Sequence, residues 1–229
     1  MMTKWTFRLA VIAALVMLAV APLMAITALP CNPLPMSTLT AFELVRTTAD
    51  VQRILGQAGE TCRAALAPQL DHANFVDTFA YIPAYTAFYG LVAWSLGARD
   101  RGLRLLTLIV VVACAIADVF ENIGMFTLSA SPDTPTPWLH ILTIATNAKW
   151  IGLGLVTTLC GLMIARRGGA WMVALPVCAV PLGTSLWAAV APDAAGQYLL
   201  TGMTIATVFL LLAAIWGSVR GDGARRVPT

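Results

Sequence analysis

The sequence has little charge and very little histidine. Charged residues make up 11% of its 229 residues, and His72 and His140 are its two histidines. With so few imidazoles, we expect no zinc or di-iron centre and no haem or chlorophyll held in mid-membrane. The chain also has no Cys-x-x-Cys pair, Gly-rich phosphate loop, zinc motif or nucleophile elbow, so no named enzyme class is indicated. The lack of a basic stripe argues against a nucleic-acid partner.

Hydrophobic residues, in contrast, make up 59% of the chain, and its mean hydropathy is +0.81. Apolar runs near or beyond the roughly 20 residues that cross a bilayer recur along the sequence. We therefore predict an all-α, polytopic helical membrane protein with a single membrane domain over residues 1–229. The six predicted transmembrane spans are 7–28, 73–97, 103–129, 138–165, 170–191 and 197–218.

The first span has a second interpretation. Residues 1–8 resemble the basic start of a signal peptide, and residues 21–25 offer small side chains for cleavage. The apolar part is longer than the usual core of a signal peptide, so we favour an uncleaved anchor. Cleavage would leave five spans and would not change the orientation of the others.

Basic residues are distributed unevenly between the two sides of the predicted spans. Cytoplasmic loops of membrane proteins carry the excess of Lys and Arg, so the richer side is predicted to be cytoplasmic, together with both termini. The residues on that side are Lys4, Arg8, Arg99, Arg101, Arg104, Arg166, Arg167, Arg220, Arg225 and Arg226. The other side has Arg46, Arg53 and Arg63, all in the long loop 29–72.

Two of the five cysteines, Cys31 and Cys62, lie in this outer loop. In an oxidising compartment we expect them to form a disulfide, with free thiols or a redox pair as the alternative. The bond would close a loop of about 30 residues and stabilise the protein by about 3–4 kcal/mol in the chain-entropy model. Residues 38–55 fit one or two short amphipathic helices on the outer membrane surface. They would act as a lid over a cavity or as a clamp held by the disulfide.

The third span contains three adjacent polar residues that hydrocarbon disfavours. Asp118, Glu121 and Asn122 are three and four positions apart, so they share one face of a helix. A carboxylate in mid-membrane costs roughly 2.5–3.5 kcal/mol on insertion scales. Two of them within one turn must therefore face protein, water or a cation.

Polar residues of span four and Tyr85 of span two are expected at a similar depth to these three, with Asp77 above them. Asp77, Tyr81 and Tyr85 follow one stripe of span two, with a proline between the tyrosines that predicts a kink, and span four carries Asn147 and Lys149. Short connections make spans two, three and four neighbours. The candidate pocket consists of Asp77, Tyr81, Tyr85, Asp118, Glu121, Asn122, Asn147 and Lys149.

This pocket has more negative than positive charge, since Asp77, Asp118 and Glu121 oppose Lys149 alone. Protonation, a bound cation or access of water would relieve the imbalance. Four interpretations stay open: a purely structural helix–helix contact, a weak Mg²⁺ or Ca²⁺ site on the three carboxylates, acid–base chemistry on a lipid-like substrate, and proton- or cation-coupled transport. The sequence indicates no particular cofactor.

Spans five and six differ from the others because they carry no charged residue. They contain Trp171, Trp187 and Trp216 among apolar and hydroxyl side chains. We interpret them as scaffold, as lipid-facing surface or as an interface for other membrane proteins.

Several of the residues named above form a pattern that resembles an uncharacterised group of small bacterial multipass inner-membrane proteins. The pattern consists of Phe42-Glu43-Leu44, Asp77 with Tyr85, Asp118-x-x-Glu121-Asn122 and Lys149. The likeness covers roughly residues 40–155 and leaves out spans five and six. It implies the fold, a bacterial inner membrane and a periplasmic outer loop, but no activity, because none is known for the group.

Together these patterns lead to one hypothesis and one competitor. We expect the pocket to bind or act on a lipidic or amphipathic ligand, such as a membrane lipid, from the periplasmic side. Lys149 would pair with Asp118, and Glu121 or Asp77 would be the titrating group. The competing hypothesis is an accessory subunit of a larger membrane complex, in which spans five and six form the interface and the polar residues only join helices.

Overall fold

The structure is a computed structural model that describes residues 2–28, 31–32, 36–57, 59–133 and 137–220. This part of the chain is helical and has no strand, which confirms the predicted all-α class. Its nine α-helices are α1 (Met2–Val20), α2 (Thr38–Glu43), α3 (Thr48–Leu55), α4 (Thr61–Val76), α5 (Ile82–Leu96), α6 (Arg101–Ala130), α7 (Pro137–Ala165), α8 (Ala174–Val190) and α9 (Pro192–Arg220). The basic tail with Arg225 and Arg226 lies outside the described residues.

Five helical stretches in these ranges are long and apolar enough to cross a membrane. They are Lys4–Met24, Arg101–Ala130, Pro137–Ala165, Gly169–Val190 and Pro192–Val219. The predicted span 73–97 is not among them, because it is divided between the end of α4, an irregular turn and α5. At 15 residues, α5 alone is shorter than the roughly 20 residues needed to cross a bilayer.

The irregular turn is a π-helical turn, Asp77–Tyr81, that joins α4 directly to α5. Here the Ile82 N–H donates to the Asp77 carbonyl, five residues back, instead of the usual four. Pro83 follows at once and has no N–H to donate, so the regular hydrogen-bond pattern cannot run through this point. The kink expected near this proline is thus a π-helical turn that ends just before it.

The long helices form a closed ring of neighbours. α1 packs on α5, α5 on α6, α6 on α7, α7 on α8, α8 on α9, and α9 on α1. Within this ring α7 is the most enclosed helix: 61% of its most apolar stretch is buried, against 22–28% for the other four candidate spans. Lys149 and Thr146 of α7, which are 6% and 0% exposed, therefore lie inside the bundle.

Residues 36–57, which we call the capping segment, contain α2 and α3 and cover one end of the bundle. Phe42 and Ile54 are fully buried, in a cluster that includes Leu70 of α4, Met125 of α6 and Leu142 of α7. The apolar faces of α2 and α3 therefore contact protein, whereas the sequence pattern led us to expect them on the membrane surface. A surface location would have left these large side chains without the protein contacts that bury them.

A disulfide closes the loop that contains the capping segment, and hydrogen bonds within the loop fix its local structure. Cys31 and Cys62 are bonded, with a Cα–Cα distance of 5.4 Å, as the sequence predicted. The Cys31 N–H also donates to the Ile54 carbonyl at 3.0 Å, which ties the disulfide to the end of α3. At the start of α3, Thr47 and Asp50 form a capping box in which each side chain accepts from the other residue's N–H.

Candidate functional site

One buried ammonium group, on Lys149 of α7, lies at the centre of the charged residues. Its Nζ is 2.8 Å from Glu121 Oε2, 3.3 Å from Asp118 Oδ1 and 3.2 Å from Glu43 Oε1. Lys149 is 6% exposed, and Glu43, Asp118 and Glu121 are 8%, 2% and 0% exposed. We call these four residues the Lys149 cluster. Asp118, Glu121 and Lys149, which the sequence pattern predicted to be close, are in contact.

Glu43 is the member of the cluster that helical spacing did not predict. It is the last residue of α2, and its carboxylate also accepts a hydrogen bond from Trp150 Nε1 at 3.1 Å. Its backbone carbonyl accepts from the Thr146 hydroxyl at 3.0 Å, so both its main chain and its side chain are held by α7. The one signal in the sequence was its place in the Phe42-Glu43-Leu44 pattern. An acidic residue among apolar ones in a short helix needs a buried partner.

Tyr85 of α5 belongs to the cluster's edge, as predicted. Its hydroxyl donates to Asp118 Oδ2 at 2.9 Å, and the residue is 3% exposed. The ring of Tyr81 lies edge-on to it with 5.9 Å between ring centroids. Tyr81 is half-buried, so the two tyrosines lead from the cluster towards the outside of the bundle.

Asp77 and Asn122 form a second polar group beside the Lys149 cluster. Asn122 Nδ2 donates to Asp77 Oδ2 at 2.6 Å and to Thr78 Oγ1 at 2.9 Å. The Thr78 hydroxyl in turn donates to the Asn74 carbonyl at 2.8 Å. Asp77 was predicted to lie above the other pocket residues; it belongs to the π-helical turn, and its carboxylate contacts the amide of Asn122. Half-buried Asp77 is thus the outermost carboxylate of the site.

Asn147 takes a different role from the predicted one. Its Oδ1 accepts a hydrogen bond from the Arg46 guanidinium at 2.9 Å, and the same guanidinium donates to the Thr143 carbonyl at 3.3 Å. Arg46 lies in the capping segment, directly before the α3 cap. Asn147 therefore anchors the capping segment to α7, two residues away from Lys149 in the sequence but on a different side of the helix.

The electrostatics of the site are unbalanced. Three carboxylates surround one ammonium, so full ionisation would leave two uncompensated negative charges in a site that is more than nine-tenths buried. Burial raises the pKa of the Glu43 carboxyl above its ordinary value, and the nearby Lys149 ammonium opposes this shift without cancelling it. The arrangement can therefore take up positive charge, as a proton or as a cationic group.

The weak metal candidates Asp77, Asp118 and Glu121 are divided between the two polar groups, and Lys149 occupies the position a cation would take among the cluster carboxylates. Within the described ranges, the one close set of three potential ligand side chains is Cys31, Glu60 and Cys62. Its two sulfurs are joined to each other, so neither is available as a thiolate.

Comparison of the chain with protein-family models, with curated proteins and with solved structures finds no match in any of the three. The resemblance to small bacterial inner-membrane proteins stays a prediction. The geometry of the site is therefore the basis for proposing a function.

Proposed function

We propose that this chain is an integral protein of a bacterial inner membrane that binds, or acts on, a lipidic or amphipathic ligand at the polar site between α5, α6 and α7. In this proposal residues 73–97, which run from the end of α4 through α5, are a sixth span, the capping segment is periplasmic, and both termini are cytoplasmic. The distribution of Lys and Arg supports this orientation. The ligand would approach from the periplasmic side.

The observation that carries the proposal is a polar patch beside an exposed aromatic pair. Asp77, Thr78 and Tyr81 are half-buried at the π-helical turn. Next to them Phe75 and Phe79 are 56% and 68% exposed, with their ring centroids 4.8 Å apart. An amphipathic molecule needs this combination: hydrogen-bonding groups for its head and an apolar surface for its chain. π-Helical turns are also frequent at functional sites.

A chain of contacts connects this patch with the Lys149 cluster. Tyr81 contacts Tyr85, Tyr85 donates to Asp118, and Asp118 faces Lys149. A head group held at Asp77 would therefore lie within electrostatic reach of the unbalanced carboxylates. This favours a ligand whose head carries hydrogen-bond donors or positive charge.

The test is native mass spectrometry of the full chain, extracted gently from its own membrane. We expect a defined lipid or amphiphile at fixed stoichiometry in the wild type and its loss in Asp77→Asn. Loss of a hydrogen bond to a charged group weakens binding by about ten- to a hundredfold. Asp133→Asn is the matched control, because Asp133 is partly exposed and pairs with Arg63 away from the site.

Retention of the same molecule in Asp77→Asn would contradict the proposal, as would a wild-type protein that carries none. Phe79→Ser should also reduce retention, because it removes apolar surface but leaves every polar contact in place. If Asp77→Asn loses the molecule and Phe79→Ser keeps it, the ligand binds at the polar patch without using the aromatic pair.

An accessory subunit of a larger membrane complex is the second candidate. Trp187 of α8 and Tyr198 of α9 stack with ring centroids 5.5 Å apart, and each is 45% exposed. Exposed aromatic residues of this kind are enriched in interfaces. Stoichiometric co-purification of other subunits, unchanged in Asp77→Asn and lost in Trp187→Ala, would favour this candidate over the ligand site.

A further inference from the structure

The capping segment contributes a charge to a site that the other helices have already built. Without it, Lys149 of α7 faces Asp118 and Glu121 of α6, one cation against two carboxylates. With it, Glu43 becomes the third carboxylate on the same Nζ. Docking of the segment therefore brings a negative charge into an environment that is already negative.

The other groups around Glu43 do not balance this charge. Arg46, the nearest cation on the same segment, is directed to Asn147 and the Thr143 carbonyl. Trp150 donates one neutral hydrogen bond to Glu43. The charged and titratable groups that face Glu43 are Lys149 of α7, Asp118 and Glu121 of α6, and, further away, Asp77 and Tyr81 of the π-helical turn.

The loop that contains the capping segment is closed by a covalent bond. The Cys31–Cys62 disulfide joins the residues on either side of the segment, so the segment stays close to its site when its other contacts open. Its polar contacts with the long helices are those of Glu43 with Lys149 and Trp150, the two acceptors of Arg46, the hydroxyls of Thr143 and Thr146 on backbone carbonyls, and Arg53 with Asp193 of α9. Opening would also expose its buried apolar side chains, Phe42 and Ile54 among them.

We propose that the Lys149 cluster is a proton-binding site whose occupancy is linked to docking of the capping segment. One proton from bulk water binds a carboxylate oxygen of the cluster as Glu43 enters, and it returns to water when the segment leaves. This inference does not depend on the proposed ligand. It would give the protein a cover over its polar site that opens as pH rises.

The direction of the pH dependence follows from the docked state. Burial raises the pKa of Glu43 there, so the docked state holds more protons than the undocked state. Docking is therefore fully favoured at pH values below the ordinary range of a Glu carboxyl. It weakens as pH rises through the raised pKa of the docked state. For one linked proton the docking equilibrium changes by at most about tenfold per pH unit.

The experiment is hydrogen exchange of the full chain in lipid nanodiscs from mildly acidic to mildly alkaline pH. Protection is followed in peptides from residues 38–55 and corrected for the intrinsic effect of pH with an unstructured reference peptide. We expect wild-type protection to fall with rising pH, by up to about tenfold per unit. Glu43→Gln, which mimics the protonated side chain, should stay protected with no slope.

Glu60→Gln is the matched control, because it makes the same substitution in the same loop at an exposed position and should keep the wild-type slope. If Glu43→Gln does not fold, Asp118→Asn serves in its place, since it also removes one negative charge from the cluster and should flatten the slope. A flat wild-type profile would overturn the proposal. An unchanged slope in both Glu43→Gln and Asp118→Asn would overturn it too.

Discussion

The helix α7 has two faces that join it to its neighbours in different ways. One face places Lys149 against the carboxylates of α6 and the capping segment. The other face, towards α8, has no ion pair in the described part of the chain and depends on close approach of the two backbones. The same helix therefore makes a charged contact on one side and a small-residue contact on the other.

Glycine makes the second face possible. A Cβ atom on Gly154 would lie 2.5 Å from Leu182 Cα, and one on Gly161 would lie 2.6 Å from Cys178 Cβ. Because the two backbones are this close, the Thr157 hydroxyl of α7 can donate to the Cys178 carbonyl of α8, at 2.8 Å. Small residues and hydroxyl-to-backbone bonds are the usual means by which membrane helices associate.

The two faces differ in what they cost. The glycine face joins two helices without burying a charge, and hydrogen bonds between membrane helices contribute only about 0.6 kcal/mol each on average. The charged face buries one cation and three carboxylates, and each charge carries a desolvation penalty of several kcal/mol. The proposals of ligand binding and of proton exchange would each account for an arrangement that costs more than packing requires.

The largest effect is expected from breaking the charged face with Lys149→Met. This change leaves three buried carboxylates without their cation, which costs about 3–5 kcal/mol when a buried pair loses one partner. The free energy of unfolding in detergent micelles measures it. Adding Glu121→Gln should recover part of the loss, because it removes one of the stranded charges. A Lys149→Met protein as stable as the wild type would show that the cluster does not hold an ammonium group ion-paired with carboxylates.

A smaller effect is expected from breaking the glycine face with Gly154→Ala. Its new Cβ would meet the backbone of α8 rather than a movable side chain, so α7 and α8 must separate. Overpacking of this kind costs about 1–3 kcal/mol. Gly183→Ala in α8 is the control: it meets no atom within 4 Å and should be neutral or stabilise by about 0.5–1 kcal/mol. Equal unfolding free energies for the two variants would contradict the close approach.

The smallest change in unfolding free energy is expected from breaking a more exposed ion pair, that of Arg63 with Asp133. Arg63 Nη1 pairs with Asp133 Oδ2 at 3.0 Å, but the two side chains are 19% and 46% exposed. Surface pairs contribute at most about 1 kcal/mol, so Arg63→Met should change the unfolding free energy by less than that. A loss as large as that of Lys149→Met would mean that burial is not what separates the two sites.

Helical periodicity explains how much of this site the sequence could predict. Asp118 and Glu121 lie on one helix and Lys149 on the next, so spacing and depth were enough to bring them together. Glu43 and Arg46 come from a loop, and the spacing along a loop says nothing about where it docks. Asp77 was predicted to lie above the other pocket residues, but spacing along a regular helix did not show the π-helical turn from which it contacts Asn122. The disulfide was predictable, since the outer loop has two cysteines.

The order of the Lys149 cluster along the chain has a consequence for biosynthesis. Glu121 precedes Lys149 by 28 residues, so the ribosome completes both carboxylates of α6 before it makes their cation. A lone α6 entering the bilayer would carry two unneutralised charges, whereas an α6–α7 hairpin enters with its countercharge beside it. The two helices are thus expected to leave the translocon as a pair. Glu43, although made first, can join them only after α7 has arrived.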